Sequence, residues 1–269
     1  MIQARRPTLV VIGTGMAGAK VVEELLARDP DRFQVRMFGA EPHGTYNRIL
    51  LSHVLGGHQD PARLWLNPLE WYEEHGVFVH AGVKAEAIDR KEQVVTGAGG
   101  KVVEPYDALV LATGSRPFVP PLDGADKKGV FVFRTLDDCE KIAGWAQDSD
   151  RAVVLGGGLL GLEAARGLLS HGLDVTVVEL APHLMPQQLD ASGGALLRRK
   201  LEVLGLHFAL GTSVTHVLGD GRVTGVRFKD GTTLDAEMVV ISCGIRPNVE
   251  VAKEAGLAVE RAIVVDDQL

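Results

Sequence analysis

R-A-V-V-L-G-G-G-L-L-G-L-E-A-A-R-G-L-L-S-H-G-L-D-V-T-V-V-E-L occupies residues 151–180. Residues 152–155 are an apolar run of strand length. Gly156, Gly158 and Gly161 follow as G-x-G-x-x-G, and Leu159, Leu162, Ala165, Leu168 and Leu169 recur at helical spacing. His171-Gly172 stops that helix, because glycine accepts the left-handed backbone found after a last turn. A second apolar run, 175–178, ends on Glu179. Strand, glycine turn, helix, strand and acid in this order form a dinucleotide-binding fingerprint.

Each part has a physical task. Gly156 permits the tight turn, Gly158 lets the backbone approach a pyrophosphate, and Gly161 allows the helix to pack closely on the strand. The unpaired N–H groups of the helix start attract the pyrophosphate. Glu179 stands 18 residues after Gly161, where a carboxylate accepts hydrogen bonds from a ribose 2′-hydroxyl and repels a 2′-phosphate. Residues 180–183 carry no Arg or Lys, so NADH is expected over NADPH.

The same pattern stands at the start of the chain. Residues 8–12 are an apolar strand, Gly13, Gly15 and Gly18 repeat the glycine spacing, residues 17–28 read as a helix, and Glu41 follows the strand 35–38. Glu41 lies 23 residues after Gly18, because residues 29–32 lengthen the intervening loop. Two such units on one chain fit two nucleotides, as a flavin reduced by a nicotinamide requires.

Composition narrows the function classes. The 269 residues allow two domains with large cores, and 46% hydrophobic with 23% charged residues is ordinary for a soluble globular protein. A formal net charge of −7 argues against nucleic acid or an anionic membrane as the main partner. No apolar stretch approaches a membrane span, and residues 1–7 are too short and basic for a signal peptide. Cys139 and Cys243 are isolated, so neither a disulfide framework nor a metal site is expected, and a reducing cytoplasm fits.

Between and after the two units the pattern is α/β throughout. Asn67-Pro68 reads as the capped start of a helix carrying Trp71 and Tyr72. Strands are expected at 77–80 and 83–88, a hairpin at 93–96 and 102–104 around the glycine-rich turn 97–100, and a buried strand at 106–112. Residues 117–121 are proline-rich and mark the domain boundary. Thr135 caps a helix, 189–204 is helical, and 206–210, 214–218, 222–228 and 238–241 read as strands.

Ala112-Thr113-Gly114 between the glycine motifs, with Gly244-Ile245-Arg246-Pro247-Asn248 after them, resembles the flavoprotein reductases built from two dinucleotide-binding domains. Within that group, F-G-A-E-P-H-G-T-Y-N-R-I-L-L-S at 38–52, N-P-L-E-W-Y at 67–72 and G-G-G-L-L-G-L-E-A-A at 156–165 resemble the N-terminal region of NAD(P)H-dependent nitrite reductase large subunits. The resemblance covers essentially the whole chain. It implies two Rossmann-like three-layer ββα domains: an FAD domain at 1–118, to which 247–269 returns, and an NADH domain at 119–246.

The resemblance also implies site residues. Gly13, Gly15, Met16, Ala17 and Gly18 would face the FAD pyrophosphate, with Glu41 at its adenosine ribose. Arg48, Ser52, Val83, Ala112, Thr113 and Gly114 would be further FAD contacts. Gly156, Gly157, Gly158, Leu159, Leu160, Gly161 and Glu179 would hold NADH, with Glu163, Gly244 and Ile245 near its nicotinamide end. His53 follows the R-x-x-L-S pattern at 48–52, where related ferredoxin reductases often carry a lysine near the flavin ring. It is either flavin-proximal or a packing residue of the helix surface.

The family also shows what is different here. There the chain continues into a threonine-rich turn, a strand and a Gly-Asp pair that meets the FAD ribityl-phosphate region, and full nitrite reductase subunits add iron–sulfur and sirohaem regions. This sequence ends at Asp266-Asp267-Gln268-Leu269. The expectation is therefore an FAD domain lacking its usual C-terminal segment, an N-terminal portion or a naturally short relative, with FAD weak or absent and NADH still bound. Cys139 and Cys243 form no redox pair and no cysteine lies in 46–53, which sets aside disulfide, coenzyme A-disulfide and NADH-oxidase chemistry.

The activity implied is an NADH-dependent FAD reductase module passing electrons to an iron–sulfur acceptor, in nitrate assimilation. No side-chain acid, base or nucleophile is assigned, since hydride transfer needs none. A free-standing NADH:ferredoxin or NADH:rubredoxin reductase and a non-enzymatic nucleotide-binding module stay open beside it, as does homodimerisation.

Overall fold

The computed structural model describes residues 5–269; the first four residues of the segment weighed as a leader, 1–7, lie outside them. The chain begins with β1 (Thr8–Ile12), α1 (Met16–Arg28), β2 (Gln34–Gly39), β3 (Thr45–Tyr46) and the short α2 (Leu51–Leu55). It continues through β4 (Trp65–Asn67), α3 (Leu69–Glu74), β5 (Phe78–Ala81), β6 (Ala85–Asp89), β7 (Val94–Gly97), β8 (Val102–Pro105) and β9 (Ala108–Leu111). After β10 (Ser115–Pro117) come β11 (Val130–Val132), α4 (Leu136–Ala146), β12 (Arg151–Leu155), α5 (Leu159–Ser170) and β13 (Asp174–Glu179). The remainder is α6 (Ala191–Val203), β14 (His207–Leu210), β15 (Val214–Leu218), β16 (Gly225–Phe228), β17 (Thr233–Asp235), β18 (Met238–Ile241), β19 (Ile245–Pro247) and α7 (Glu250–Glu254).

These elements form two compact units. The first comprises Met1–Asn47, Leu64–Arg116 and Pro247–Leu269, and the second Arg48–Arg63 and Pro117–Arg246. In the first, the parallel sheet has the order β5-β2-β1-β9. Side chains alternate across a strand, so each face has its own core. Leu9 and Val11 of β1 pack with Val22 of α1 and Tyr72 of α3 on one face. Val10 and Ile12 pack with Ala85, Ile88 and Val95 of the antiparallel β6-β7-β8 sheet on the other. That is helix, parallel sheet and meander in three layers.

The second unit repeats the plan. Its parallel sheet runs β11-β18-β12-β13-β14, and Val153, Leu155, Val178, Val239 and Ile241 pack against Val217 and Val226 of the antiparallel β15-β16-β17 sheet. α5 packs on β12 and β13, and its Leu162, Ala164, Ala165 and Leu168 are buried. Arg48–Arg63 belongs here because Leu51 and Leu55 of α2 are buried, and α2 packs on α4 and α5. The fit leaves no space at Gly167, where a Cβ would lie 2.9 Å from Leu55 Cγ.

Some local readings are refined. Thr135 closes a reciprocal capping box with Asp138, as a hydroxyl before an acidic first turn should. Asn67 does not cap α3: it lies in β4, its amide donates to Glu23 Oε1 at 2.9 Å, and Pro68 is the N-cap without a side-chain bond. Residues 189–190 precede α6 instead of opening it, and Asp190 caps it by accepting from Gly193 N–H at 2.7 Å.

Candidate functional site

Each unit carries one such glycine turn, between β1 and α1 in the first and between β12 and α5 in the second. In the first, Gly13 has φ +119°, and a Cβ there would stand 2.1 Å from the Ala112 carbonyl oxygen. Gly18 lies on α1 directly over the turn, where a Cβ would stand 2.0 Å from Gly13 O. The second turn has the same contacts. Gly156 has φ +116° with Ser242 O at 2.3 Å from a built Cβ, and Gly161 would bring its Cβ to 2.0 Å from Gly156 O. These four glycines are required by the fold itself: two by close approach and left-handed backbone, two by close approach alone.

Gly15 and Gly158 are different. Their backbones are ordinary extended ones, φ −73° ψ 178° and φ −81° ψ 178°, and a Cβ at either would meet nothing within 4 Å. Both are N-caps, and neither α1 nor α5 receives a side-chain cap. The first N–H groups of each helix therefore face an open, positive-ended hollow that suits a phosphate. Met16 and Leu159 lie exposed at the rims, 39% and 59% accessible, with Ala17 beside the first and Leu160 beside the second.

The acids are placed as the strand–turn–helix–strand pattern requires. Glu179 ends β13, and its carboxylate accepts from Gly157 N–H at 2.6 Å and Ala181 N–H at 2.8 Å. Glu41 follows β2 and accepts from the Tyr46 hydroxyl at 2.6 Å, with Tyr46 buried. The Glu41 carbonyl accepts from Gly82 N–H at 3.0 Å, which places Val83 beside the same acid's loop.

Two corresponding loops close the turns. Ala112 N–H donates to Ile12 O at 2.8 Å, and Ser242 N–H donates to Leu155 O at 2.8 Å. Gly114 and Gly244 follow with φ +64° and +100°. Thr113 Oγ1 donates to Asn248 O at 2.6 Å and Asn248 Nδ2 returns to Thr113 O at 2.8 Å, locking the first loop to the returning chain. The equivalence of Ala112-Thr113-Gly114 and Ser242-Cys243-Gly244 escapes the sequence reading of Ser242 and Cys243. The signal was the shared position after the strand beside the glycine turn.

Arg48, Ser52 and His53 belong to the second unit. Arg48 donates from its guanidinium to the Arg134 carbonyl, and Ser52 is buried on α2. Ser52 and the exposed His53 share with Leu159 and Glu163 a mostly apolar groove of about 380 Å³, floored by Leu162 and Met185. Ile245, by contrast, is 45% exposed next to Gly244.

Burial pushes the Cys139 thiol up to about 11, so it stays protonated at neutral pH. Cys139 Sγ points to Leu51 O at 3.7 Å and Cys243 Sγ to Leu155 O at 3.5 Å, and both are free. Among the described residues no cluster of His, Cys, Asp and Glu could hold a metal ion, and no helix is long and apolar enough to cross a membrane.

Residues 7–269 match the model of the pyridine nucleotide-disulphide oxidoreductase family. The chain belongs to that family. It is 47% identical over 261 residues to a nitrite reductase [NAD(P)H] of Bacillus subtilis (strain 168), covering 97% of this chain and 32% of that relative. It is 42% identical to the assimilatory nitrate reductase electron transfer subunit of the same organism, over 98% of this chain and 34% of the relative. The chain thus spans about a third of the length of these relatives. Among solved structures it resembles the ferredoxin reductase for the CYP199A2 system from Rhodopseudomonas palustris, with a TM-score of 0.92 and 32% identity over 98% of this chain and 65% of that one. Paired parallel-sheet units and family membership together establish the α/β oxidoreductase fold expected from the two glycine motifs.

Proposed function

We propose that this chain is the NADH-oxidising flavoprotein module of an electron-transfer enzyme of the nitrite reductase type, handing electrons to an iron–sulfur acceptor. The observation that carries the reading is the pair Gly15 and Gly158. Among the described residues nothing lies within 4 Å of a Cβ built at either, and both stand at helix starts without a side-chain cap. A side chain there would fill the room a diphosphate needs.

In this reading the first unit takes FAD and the second NADH. The N–H groups at the start of α1, with Met16 and Ala17 beside them, hold the FAD diphosphate, and Glu41, steadied by Tyr46, accepts from its adenosine ribose. Thr113 and Gly114 border the cofactor where Asn248 holds their loop, and Val83 lines the adenosine side. In the second unit, Gly157 and Ala181 fix the Glu179 carboxylate, which keeps lone pairs for the ribose hydroxyls and repels a 2′-phosphate. Leu159, Leu160 and Glu163 follow the diphosphate along α5, while Gly244 and Ile245 border the nicotinamide end.

Bound flavin would supply the two-electron to one-electron conversion that links a nicotinamide to an iron–sulfur centre. The protein's own groups bind and orient, and none is needed as acid, base or nucleophile.

The test is a spectrum. The protein held in excess FAD should show a flavin absorption that NADH bleaches anaerobically, and that returns when a one-electron acceptor is added. A protein that binds NADH without any flavin being reduced is instead a nucleotide-binding module. The likeness to a ferredoxin reductase favours a second reading, in which the acceptor is a separate ferredoxin. Turnover with added ferredoxin, and none with nitrite in the longest natural form, supports that one.

A further inference from the structure

The first glycine turn is held from below by a buried chain of hydroxyls. Thr45 Oγ1 donates to the Thr14 carbonyl at 2.7 Å. Thr45 has a single proton and has used it, so the Tyr72 hydroxyl, 2.6 Å away, is the donor to Thr45. Tyr72 is fully buried and Thr45 is 1% exposed. Burial raises the Tyr72 phenol, which keeps it protonated and donating. The bonds therefore run in one direction, Tyr72 to Thr45 to Thr14.

Thr14 is the middle residue of Gly13-Thr14-Gly15. Its carbonyl and the N–H of Gly15 belong to one planar trans peptide, so they point in opposite directions. Pinning the carbonyl toward Thr45 turns the Gly15 N–H the other way. Among the described residues no hydrogen bond uses that N–H, and the space above Gly15 is open.

The second turn arrives at the same arrangement by different means. There the carbonyl of the middle residue, Gly157, accepts from the backbone N–H of Met185 at 2.9 Å, and Met185 has φ +50°. A non-glycine residue in the left-handed region is uncommon and costs energy. Two unrelated donors, a side-chain hydroxyl and a strained backbone amide, thus hold the same peptide of two separate turns in the same sense.

We infer that Thr45, backed by Tyr72, is the positioning residue of the first turn: it fixes the Thr14–Gly15 peptide so that the Gly15 N–H is presented to a dinucleotide diphosphate. The inference rests on the proposed assignment of FAD to that turn. Loop residues carrying free N–H groups otherwise rotate between orientations, and holding one in advance removes that cost from binding. The second turn's donor is main chain and cannot be deleted by substitution, so the first is where the device can be tested.

The variants are Thr45→Val, which removes the hydroxyl at nearly constant shape, Thr45→Ser, which keeps it, and Tyr72→Phe, which removes only the backing donor. FAD affinity is measured by titration, with NADH affinity as the control in the other unit. Thr45→Val should weaken FAD about tenfold, the worth of one well-placed hydrogen bond. Thr45→Ser should restore affinity to within about threefold of wild type, and Tyr72→Phe should fall between. NADH affinity should be unchanged in all three. A general loosening of the fold would weaken both ligands together and would not be rescued by serine, and either result overturns the inference.

A second measurement does not depend on FAD. Labelling threonine carbonyls with ¹³C and glycine with ¹⁵N isolates the four glycine amides that follow threonine, at 15, 97, 114 and 225. In Thr45→Val the Gly15 amide should shift or broaden while Gly97, Gly114 and Gly225 stay in place. If wild-type protein binds no FAD, the cofactor assignment fails while the peptide claim is still decided by this signal. An unmoved Gly15 amide overturns it.

Discussion

Glu41 and Glu179 are held by different donors, and that difference sets what each substitution should do. Glu179 draws on two backbone N–H groups, one of them inside the glycine turn, so its position is set by main chain. Its removal leaves Gly157 and Ala181 without their acceptor and removes the negative charge that would face a 2′-phosphate. We expect Glu179→Ala combined with Leu180→Arg to cut the NADH-to-NADPH ratio of kcat/KM by roughly tenfold or more, since charged hydrogen bonds contribute about 1.5–3 kcal/mol. Leu180 is 74% exposed, so the new guanidinium is accommodated without repacking. An unchanged ratio removes Glu179 from the specificity role. The position of this acid was legible in the sequence, because the spacing of strand, helix and strand is rigid. Tyr46 as the holder of Glu41 was not, since a hydrogen bond between residues 41 and 46 depends on how the loop between them turns.

At the scale of elements, both strand–turn–helix units were readable from periodicity and glycine spacing, with α1 and α5 beginning within two residues of their glycine turns. What the glycines do individually was only half readable. Spacing alone cannot separate Gly18 and Gly161, which the packing requires, from Gly15 and Gly158, which it does not. Gly18→Ala and Gly161→Ala push a methyl to within 2.0 Å of a carbonyl oxygen, and the backbone must move. Each should cost roughly 3 kcal/mol, and the melting temperature should fall by about 6 °C or more. Thermal melts without ligand check this; a wild-type Tm for either variant means that the helix start is free to shift. The α2 excursion shows the other limit. Nothing in Arg48–Arg63 announces that Leu51 and Leu55 bury themselves against α4 and α5. Five residues of helix carry too little pattern to show where they pack.

At the scale of the whole molecule, the chain is two copies of one plan, each with a parallel sheet, an uncapped helix start and a closing loop after a strand. The proposal assigns a different nucleotide to each copy, and this division is its central claim. The most direct test uses Gly15→Ala and Gly158→Ala as a crossed pair. Both positions accept alanine without strain or contact, so both variants should fold with the wild-type Tm. Titrated with FAD and with NADH, Gly15→Ala should lose FAD affinity and keep NADH affinity, and Gly158→Ala should do the reverse. Equal affinities in both variants, or losses that fall on the same ligand in both, would contradict the account.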